Sequence, residues 1–384
     1  MRFSVDAHAI GRRLTGNEVY IRNLLRGFDD LDRDSEFIAY VSTADAVSWV
    51  PQRFRTRRVS ANPFWRLGTD LAWQVKRDRP DLLHVQYTAP LNCTVPIVVS
   101  VHDVSFLEFP EFFPRPRALQ LRWSVKRTIR RAARILTPSE FSRRELARAY
   151  EMTHERIEVV PPAVSSAFRP QAREAALGYV RERFGIPGPF VLTVGDLQPR
   201  KNQTGLIHAF EDLLRQYPKL PHQLVIVGKD NFQGIQVRRA ALKSAAAARI
   251  HFTGFVPDRD LLQLYGATDL FVFPSLYEGF GLPVLEAMAC GRAVTCSGLA
   301  AVPEVADAAA ILFDPRSREQ IVRAMRDLLM DCELRARMER LGMQRAALFR
   351  WDETARKTLA VYYAVAGAGG EPALTRAKWT ASRQ

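Results

Sequence analysis

Short apolar runs alternate along most of the chain with stretches whose apolar positions recur every third or fourth residue. This alternation predicts parallel sheets wrapped by helices, because an all-α chain lacks the short runs and an all-β chain lacks the helical spacing. In the first half the runs predict strands over Arg2 to Asp6, Glu36 to Val41, Leu82 to Val85, Ile97 to His102 and Arg134 to Thr137, with helices between them. Around Val160 the pattern gives way to PPAVSSAFRPQ, whose prolines and serines suit a linker, and a new strand opens at Phe190 with VLTVG. The second half repeats the alternation. Strands are expected over Gln223 to Val227, Ile250 to Thr253, Leu270 to Phe273 and Ala293 to Cys296, and helices from near Asn202, Arg259, Pro283 and Ser317. An amphipathic segment follows over about Asp352 to Val365. The polar stretch GAGGEPALTRAKWTASRQ then ends the chain as an expected mobile tail.

Composition agrees with two α/β domains. A chain of 384 residues, 47% hydrophobic and 25% charged, buries substantial cores but exceeds one ordinary domain. No stretch reaches about 18 apolar residues, and the opening MRFSVDAHAI reads as a strand, so neither a spanning helix nor a signal peptide is predicted and a cytoplasmic location is expected. Cys93, Cys290, Cys296 and Cys332 lack CxxC spacing and paired histidines, so buried free thiols are expected in place of zinc or disulfides. The formal charge of +14 implies attraction to phosphate-bearing partners without choosing among them.

The densest chemical signal is PSLYEGFGLPVLEAMACG, Pro274 to Gly291, directly after an expected strand. Gly279 and Gly281 let the backbone approach a ligand, Pro283 suits a first helical turn, and Gly291 suits a helix stop. The helix therefore begins at the loop, with its free N–H groups available to a phosphate or sugar. Glu278 in the loop and Glu286 in the helix are expected at different depths of one pocket, where each accepts hydrogen bonds from a different set of hydroxyls. The bland alternative makes Glu278 a cap and Glu286 a solvated face residue.

A second signal is GDLQPRKNQTGLIHAF. Arg200 and Lys201 stand at a helix start, where the macrodipole is already positive, and an anion between them would account for this. The alternative is a solvated basic loop. In VVSVHDVSFLEFP, His102 and Asp103 close an apolar strand and so fall at the carboxyl edge of a parallel sheet, the usual place for ligands. Gly16 and Asn17, ahead of a helix, offer backbone N–H groups to a phosphate, or form a plain turn and cap. Arg117 to Leu136 reads as a basic amphipathic helix. Leu121, Val125, Ile129 and Ala132 lie on one face, and Arg122, Lys126, Arg127, Arg130, Arg131 and Arg134 lie opposite with Trp123 nearby, either solvated or against anionic headgroups.

Together these segments resemble the GT4 family of retaining glycosyltransferases. EGFGLPVLEAMACG carries that family's Glu-x7-Glu pattern as Glu278 and Glu286, and HDVSFL, TPSEFSRREL, VGDLQPRKN, LVIVG and FTGFV stand in the family's order. The resemblance implies a GT-B fold, α/β, with two Rossmann-like domains facing each other across a cleft. Residues 1–168 would form an acceptor-binding domain and residues 169–350 a nucleotide-sugar-binding domain. A helix over 351–367 would return to the first domain ahead of a flexible tail, 368–384. It further implies that Arg200 and Lys201 hold the donor diphosphate, Glu286 the ribose hydroxyls and Glu278 the hydroxyls of the transferred sugar, with His102 beside the reacting carbon. Asp103 joins His102 and Glu278 as a catalytic candidate. Gly279, Phe280, Gly281 and Leu282 line the donor, and Ala300 and Ala301 lie near the nucleotide. Gly16 is carried over although LTGNEVY replaces the family's glycine-rich loop.

The implied reaction retains the anomeric configuration and needs neither metal nor cofactor, the nucleotide sugar being a substrate. GDP-mannose stands ahead of UDP-sugars, because HDVSFLEFPEFFP resembles bacterial mannosyltransferases. The expected acceptor is a glycan or lipid-linked glycan of a surface polysaccharide, with the enzyme at the inner face of the membrane. The rival class is a non-catalytic basic protein binding nucleic acid or anionic membrane. No nucleic-acid module is visible, however, and the basic residues disperse over both halves. An NAD-dependent enzyme would need GxGxxG after the first strand, and this is absent.

Overall fold

The computed structural model describes residues 1–12, 15–231 and 233–367; the expected tail lies outside the described residues. Two compact units are present, and both are α/β. Unit 1 comprises Met1–Val104, Pro116–Pro162 and, among the described residues, 350–367; unit 2 comprises Ser105–Arg115 and Ala163–Phe349. The segment Ser105–Arg115 and residues 163–168, expected in the first domain, thus group with unit 2, where the Phe109 ring meets Tyr277 edge-on at 5.5 Å.

In unit 1 seven parallel strands are ordered β3-β2-β1-β4-β5-β6-β7. They are β1 (Arg2–Asp6), β2 (Glu36–Val41), β3 (Arg55–Arg58), β4 (Leu82–Gln86), β5 (Ile97–Ser100), β6 (Arg134–Thr137) and β7 (Ile157–Val159). Unit 2 holds a second sheet ordered β10-β9-β8-β11-β12-β13. Its strands are β8 (Phe190–Val194), β9 (Gln223–Val227), β10 (Ile250–Gly254), β11 (Leu270–Phe273), β12 (Val294–Ser297) and β13 (Ile311–Phe313). Both faces of this sheet are covered. Phe190, Leu192, Phe271 and Phe273 enter the core on one side, and Val191, Leu224, Ile226 and Val272 enter the core on the other, which is why the strands read as unbroken apolar runs.

The differences from expectation have local causes. β3 is RTRR at a sheet edge, so it carries no apolar signal; β7 and β13 are only three residues long. β5 ends at Ser100, not His102: the Val101 amide still reaches the Leu136 carbonyl at 2.9 Å, and pairing stops there. The basic helix spans Arg115–Arg131, not Arg117 to Leu136, because the Ala133 amide leaves the helix to donate to the Ile97 carbonyl. Arg134 therefore belongs to β6 and not to the basic face. Cys93, Cys290 and Cys296 are buried, but Cys332 is exposed at the start of the Cys332–Ala346 helix.

The helix Trp351–Val365 packs on Thr15–Leu31 and adds Ala355, Leu359 and Tyr362 to the core around Phe3 and Phe28. Its polar anchor is fully buried. Tyr362 Oη lies 2.6 Å from His84 Nδ1, His84 Nε2 lies 2.8 Å from Ser100 Oγ, and Tyr20 Oη lies 3.0 Å from the same hydroxyl. Burial pushes the His84 pKa down to about 3, so the ring is neutral and each nitrogen needs a hydroxyl partner. Tyr362→Phe leaves His84 Nδ1 buried and unsatisfied. It should lower the stability of unit 1 by about 1–3 kcal/mol, read as a lower urea midpoint, whereas an unchanged midpoint would show that this bond contributes nothing.

Candidate functional site

The site in unit 2 is built at the carboxyl ends of β8 and β11. After β8 the chain passes Gly195 (φ +155°) and makes a tight turn at Pro199–Lys201; Asn202 (φ +53°) then starts the helix Gln203–Gln216. A Cβ on Gly195 would meet the Lys201 side chain at 3.3 Å, so the glycine gives the lysine room to fold back. After β11 the loop leads through Gly281 (φ +113°) into the helix Leu282–Ala289, with Pro283 in its first turn and Gly291 (φ +69°) just past its end.

These two loops meet through charge. Lys201 Nζ lies 2.6 Å from Glu278 Oε1, and an Arg200 guanidinium nitrogen lies 2.9 Å from Glu278 Oε2. Arg200 also donates to the Tyr277 carbonyl at 2.6 Å, while the Leu276 amide donates to the Arg200 carbonyl. The Arg200 and Lys201 side chains are only 13% exposed, which rules out a solvated basic loop. The anion expected between the cations is present in this structure as the Glu278 carboxylate itself. Burial alone would raise the Glu278 pKa, but Arg200 and Lys201 outweigh it and hold it at about 2. Burial lowers the Lys201 pKa, with Glu278 opposing. The ammonium also lies over the Phe273 ring at 5.2 Å.

Glu286 sits in a different environment. It is buried on the Leu282–Ala289 helix and accepts one hydrogen bond from Tyr265 Oη at 2.9 Å. Burial pushes its pKa up to about 7, with the Tyr265 hydroxyl opposing the rise. One carboxylate is thus fully ionised between cations, and the other is poised near neutrality beside a single donor. The second has acceptor capacity for a ligand carrying hydroxyl groups. Glu278 is not the cap of the bland reading, since Gly281 stands at the cap position, and Glu286 is not a solvated face residue.

The remaining predicted residues divide between backbone and packing roles. Gly279, Phe280, Gly281 and Leu282 connect the two glutamates. The Phe280 ring packs in the core against Phe349 at 5.7 Å, so its backbone alone is left to line a site. The Glu278 carbonyl accepts from the Ala301 amide at 3.2 Å, and Ala300 adopts φ +58°, so the CSGLAAVPEV loop lies against the glutamate loop.

In unit 1, His102 and Asp103 lie just beyond β5 and do not close it, but they are half-buried at the carboxyl edge of the sheet. His102 Nε2 lies 3.1 Å from Gln86 Oε1, whose amide nitrogen reaches the Asn17 carbonyl at 3.5 Å; the Tyr20 ring meets His102 edge-on at 4.7 Å. Burial lowers the His102 pKa to about 4, so the ring is neutral at pH 7 and a poor proton acceptor. Gly16 and Asn17 lie inside the first turn of the Thr15–Leu31 helix, not ahead of it. Gln86, Tyr20 and Tyr265 were not picked out from the sequence. Their one legible signal is a polar atom at the end of, or inside, an apolar element.

Two family models match the chain. One, described as glycosyl transferases group 1, covers residues 181–345, and the other, glycosyltransferase family 4, covers residues 14–168. O-antigen chain mannosyltransferase B of Escherichia coli is 32% identical over 265 residues, spanning 69% of each chain. The serotype-specific mannosyltransferase WbdA of Escherichia coli is 28% identical over 75% of this chain; the aligned part spans only 38% of that longer protein. The Anabaena HepE structure with UDP-glucose superposes with a TM-score of 0.74 at 19% identity, covering 95% of this chain and all of that one, a likeness of fold.

Proposed function

The chain belongs to the group 1 and family 4 glycosyltransferases, with a GT-B-like fold, and from that premise we propose that it transfers mannose, with retention, from GDP-mannose to the growing glycan of a bacterial surface polysaccharide. The general reaction, glycosyl transfer from a nucleotide sugar, follows from the family; mannose as the sugar is supported by the Escherichia coli mannosyltransferases among its relatives. The observation that carries the site assignment is the buried Arg200–Glu278–Lys201 cluster one loop away from Glu286.

Arg200 and Lys201 hold the donor diphosphate, and two fixed cations stabilise the charge that gathers on it as the sugar leaves. Glu286 accepts hydrogen bonds from the ribose hydroxyls, Glu278 from hydroxyls of the transferred sugar. The bond from the sugar's anomeric carbon to the diphosphate oxygen breaks, a new bond forms to the acceptor oxygen on the same face, and the acceptor's proton passes to the leaving phosphate oxygen. His102, neutral at pH 7, is assigned a hydrogen-bonding place beside the reacting carbon and no proton transfer.

The Arg115–Arg131 helix is assigned to anionic lipid headgroups through exposed Leu119 and Trp123 beside Arg122, Lys126 and Arg130. Arg127 and Arg131 are engaged otherwise, donating to carbonyls of Pro90, Leu91 and Cys93.

In a panel of GDP, UDP, ADP and their sugar conjugates in EDTA, GDP-mannose should bind selectively, and Glu286→Ala and Lys201→Ala should each weaken it by at least about tenfold. Because the carboxylate is the form that accepts hydroxyl hydrogens, affinity for GDP-mannose should rise from pH 6 to 8 as Glu286 ionises near pH 7, and the rise should vanish in Glu286→Ala. Selective UDP-sugar binding would move the donor assignment; binding of no nucleotide would return the protein to the non-catalytic class. Separately, phosphatidylglycerol vesicles should pellet the protein, and Arg122→Glu with Arg130→Glu should reduce this, whereas unchanged pelleting would remove the lipid contact from this helix.

A further inference from the structure

Unit 1 contains a second buried charge cluster, at the carboxyl end of β1 near the middle of its sheet. Asp6, 1% exposed, is paired with the guanidinium of Arg66, 4% exposed, and its Oδ1 lies 3.1 Å from His8 Nδ1 and 3.3 Å from the His8 amide. Burial would raise the Asp6 pKa, but Arg66 and His8 outweigh it and hold the carboxyl far below its usual range. Among the described residues, Arg66 Nε is buried with no hydrogen-bond partner. A buried pair with an unsatisfied donor adds little stability for what it costs in desolvation, so it needs another reason to be there.

The chain around Arg66 is unusual in two further ways. Residues Pro63–Asp78 run as one continuous helix, but its second turn, Arg66–Asp70, is a π segment, a rare geometry that is frequent at functional sites. The segment is fastened on several sides: Asn62 caps Phe64, the Ser60 amide donates to Asp70, and Arg12 donates to the Ala61 carbonyl at 2.9 Å. The two residues just before Arg66 nonetheless present large rings to solvent, Phe64 at 76% and Trp65 at 59% exposure, edge to face at 5.5 Å.

We propose that Trp65, His8 and the Arg66–Asp6 pair form the subsite for the acceptor sugar, an uncharged pyranose of the glycan being extended. This rests on the glycosyltransferase reading above. An exposed indole offers a flat face to the C–H side of a pyranose ring. The Arg66 charge is balanced by Asp6 while its Nε keeps a donor to give, which matches a hydroxyl oxygen and not a phosphate, for which an unpaired cation would serve. With Nδ1 committed to Asp6, the opposite ring nitrogen of His8, on a side chain 17% exposed, is left for a ligand hydroxyl. The carboxyl edge of a parallel sheet is where open α/β folds take their ligands.

The test is saturation-transfer NMR with an α-linked mannotriose, the donor site being filled by whichever nucleoside diphosphate the donor panel selects. Trp65 is exposed, so Trp65→Ala removes the platform without disturbing the core; Trp49→Ala, at an exposed tryptophan under Arg22, is the control. Signals from the sugar ring protons are expected in the wild type, reduced at least fivefold in Trp65→Ala and in His8→Ala, and unchanged in Trp49→Ala. No signal in a nucleotide-bound wild type, or equal signal in Trp65→Ala, would overturn the proposal. Loss of vesicle binding in Trp65→Ala without any sugar signal would overturn it too and assign the rings to a membrane. If no nucleotide binds, the reading of the enzyme fails and not the subsite alone.

Discussion

Everything proposed for the donor side turns on a single carboxylate buried between two cations. Two positive groups placed together out of water repel each other and are poorly solvated, so they persist only when an anion sits with them. In this structure the anion is Glu278, contributed by the loop after β11, while Arg200 and Lys201 come from the loop after β8. The three charges sum to one positive charge, against the two negative charges of the proposed donor's diphosphate. Glu278 thus keeps the cations in place, and in the proposed donor complex a diphosphate would take over that role. The displaced carboxylate would then lie beside the sugar it is proposed to hold.

The fold serves that arrangement through rigid backbone. A Cβ on Gly228 would fall 2.1 Å from the Gly195 carbonyl oxygen, so only a glycine after β9 lets the loop after β8 settle where it does. Burial does the electrostatic work. The same low-dielectric surroundings that Arg200 and Lys201 overcome at Glu278 go largely uncompensated at Glu286, and two carboxylates eight positions apart are driven to opposite ends of their range. Unit 1 repeats the principle with neutral groups: His84 and His102 are both kept uncharged by burial, the first between hydroxyls and the second against an amide.

The central strands, the helix after Gly281 and the glutamate spacing were legible in the sequence, since apolar runs, helix punctuation and an interval of eight survive without coordinates. The edge strand RTRR was not, because the edge position leaves no hydrophobic demand on it. Nor could sequence say that Glu278 pairs with Arg200 and Lys201, some 77 residues away, or that Tyr265 rather than a lysine or arginine would face Glu286. Those partners are set by how loops cross at a sheet edge. Arg66 was invisible for a related reason: an arginine in a helix reads as solvated, and only the packing against Asp6 shows that it is buried.

The most direct measurement of the account is the affinity for GDP of wild type and Glu278→Gln in EDTA by calorimetry. If the carboxylate stands where the diphosphate must go, removing its charge should leave the cations short of an anion and tighten GDP binding, by about tenfold for 1.4 kcal/mol of relieved competition, even as sugar transfer is lost. Equal or weaker GDP binding in Glu278→Gln would contradict it, because Glu278 would then support the phosphate site and not occupy it.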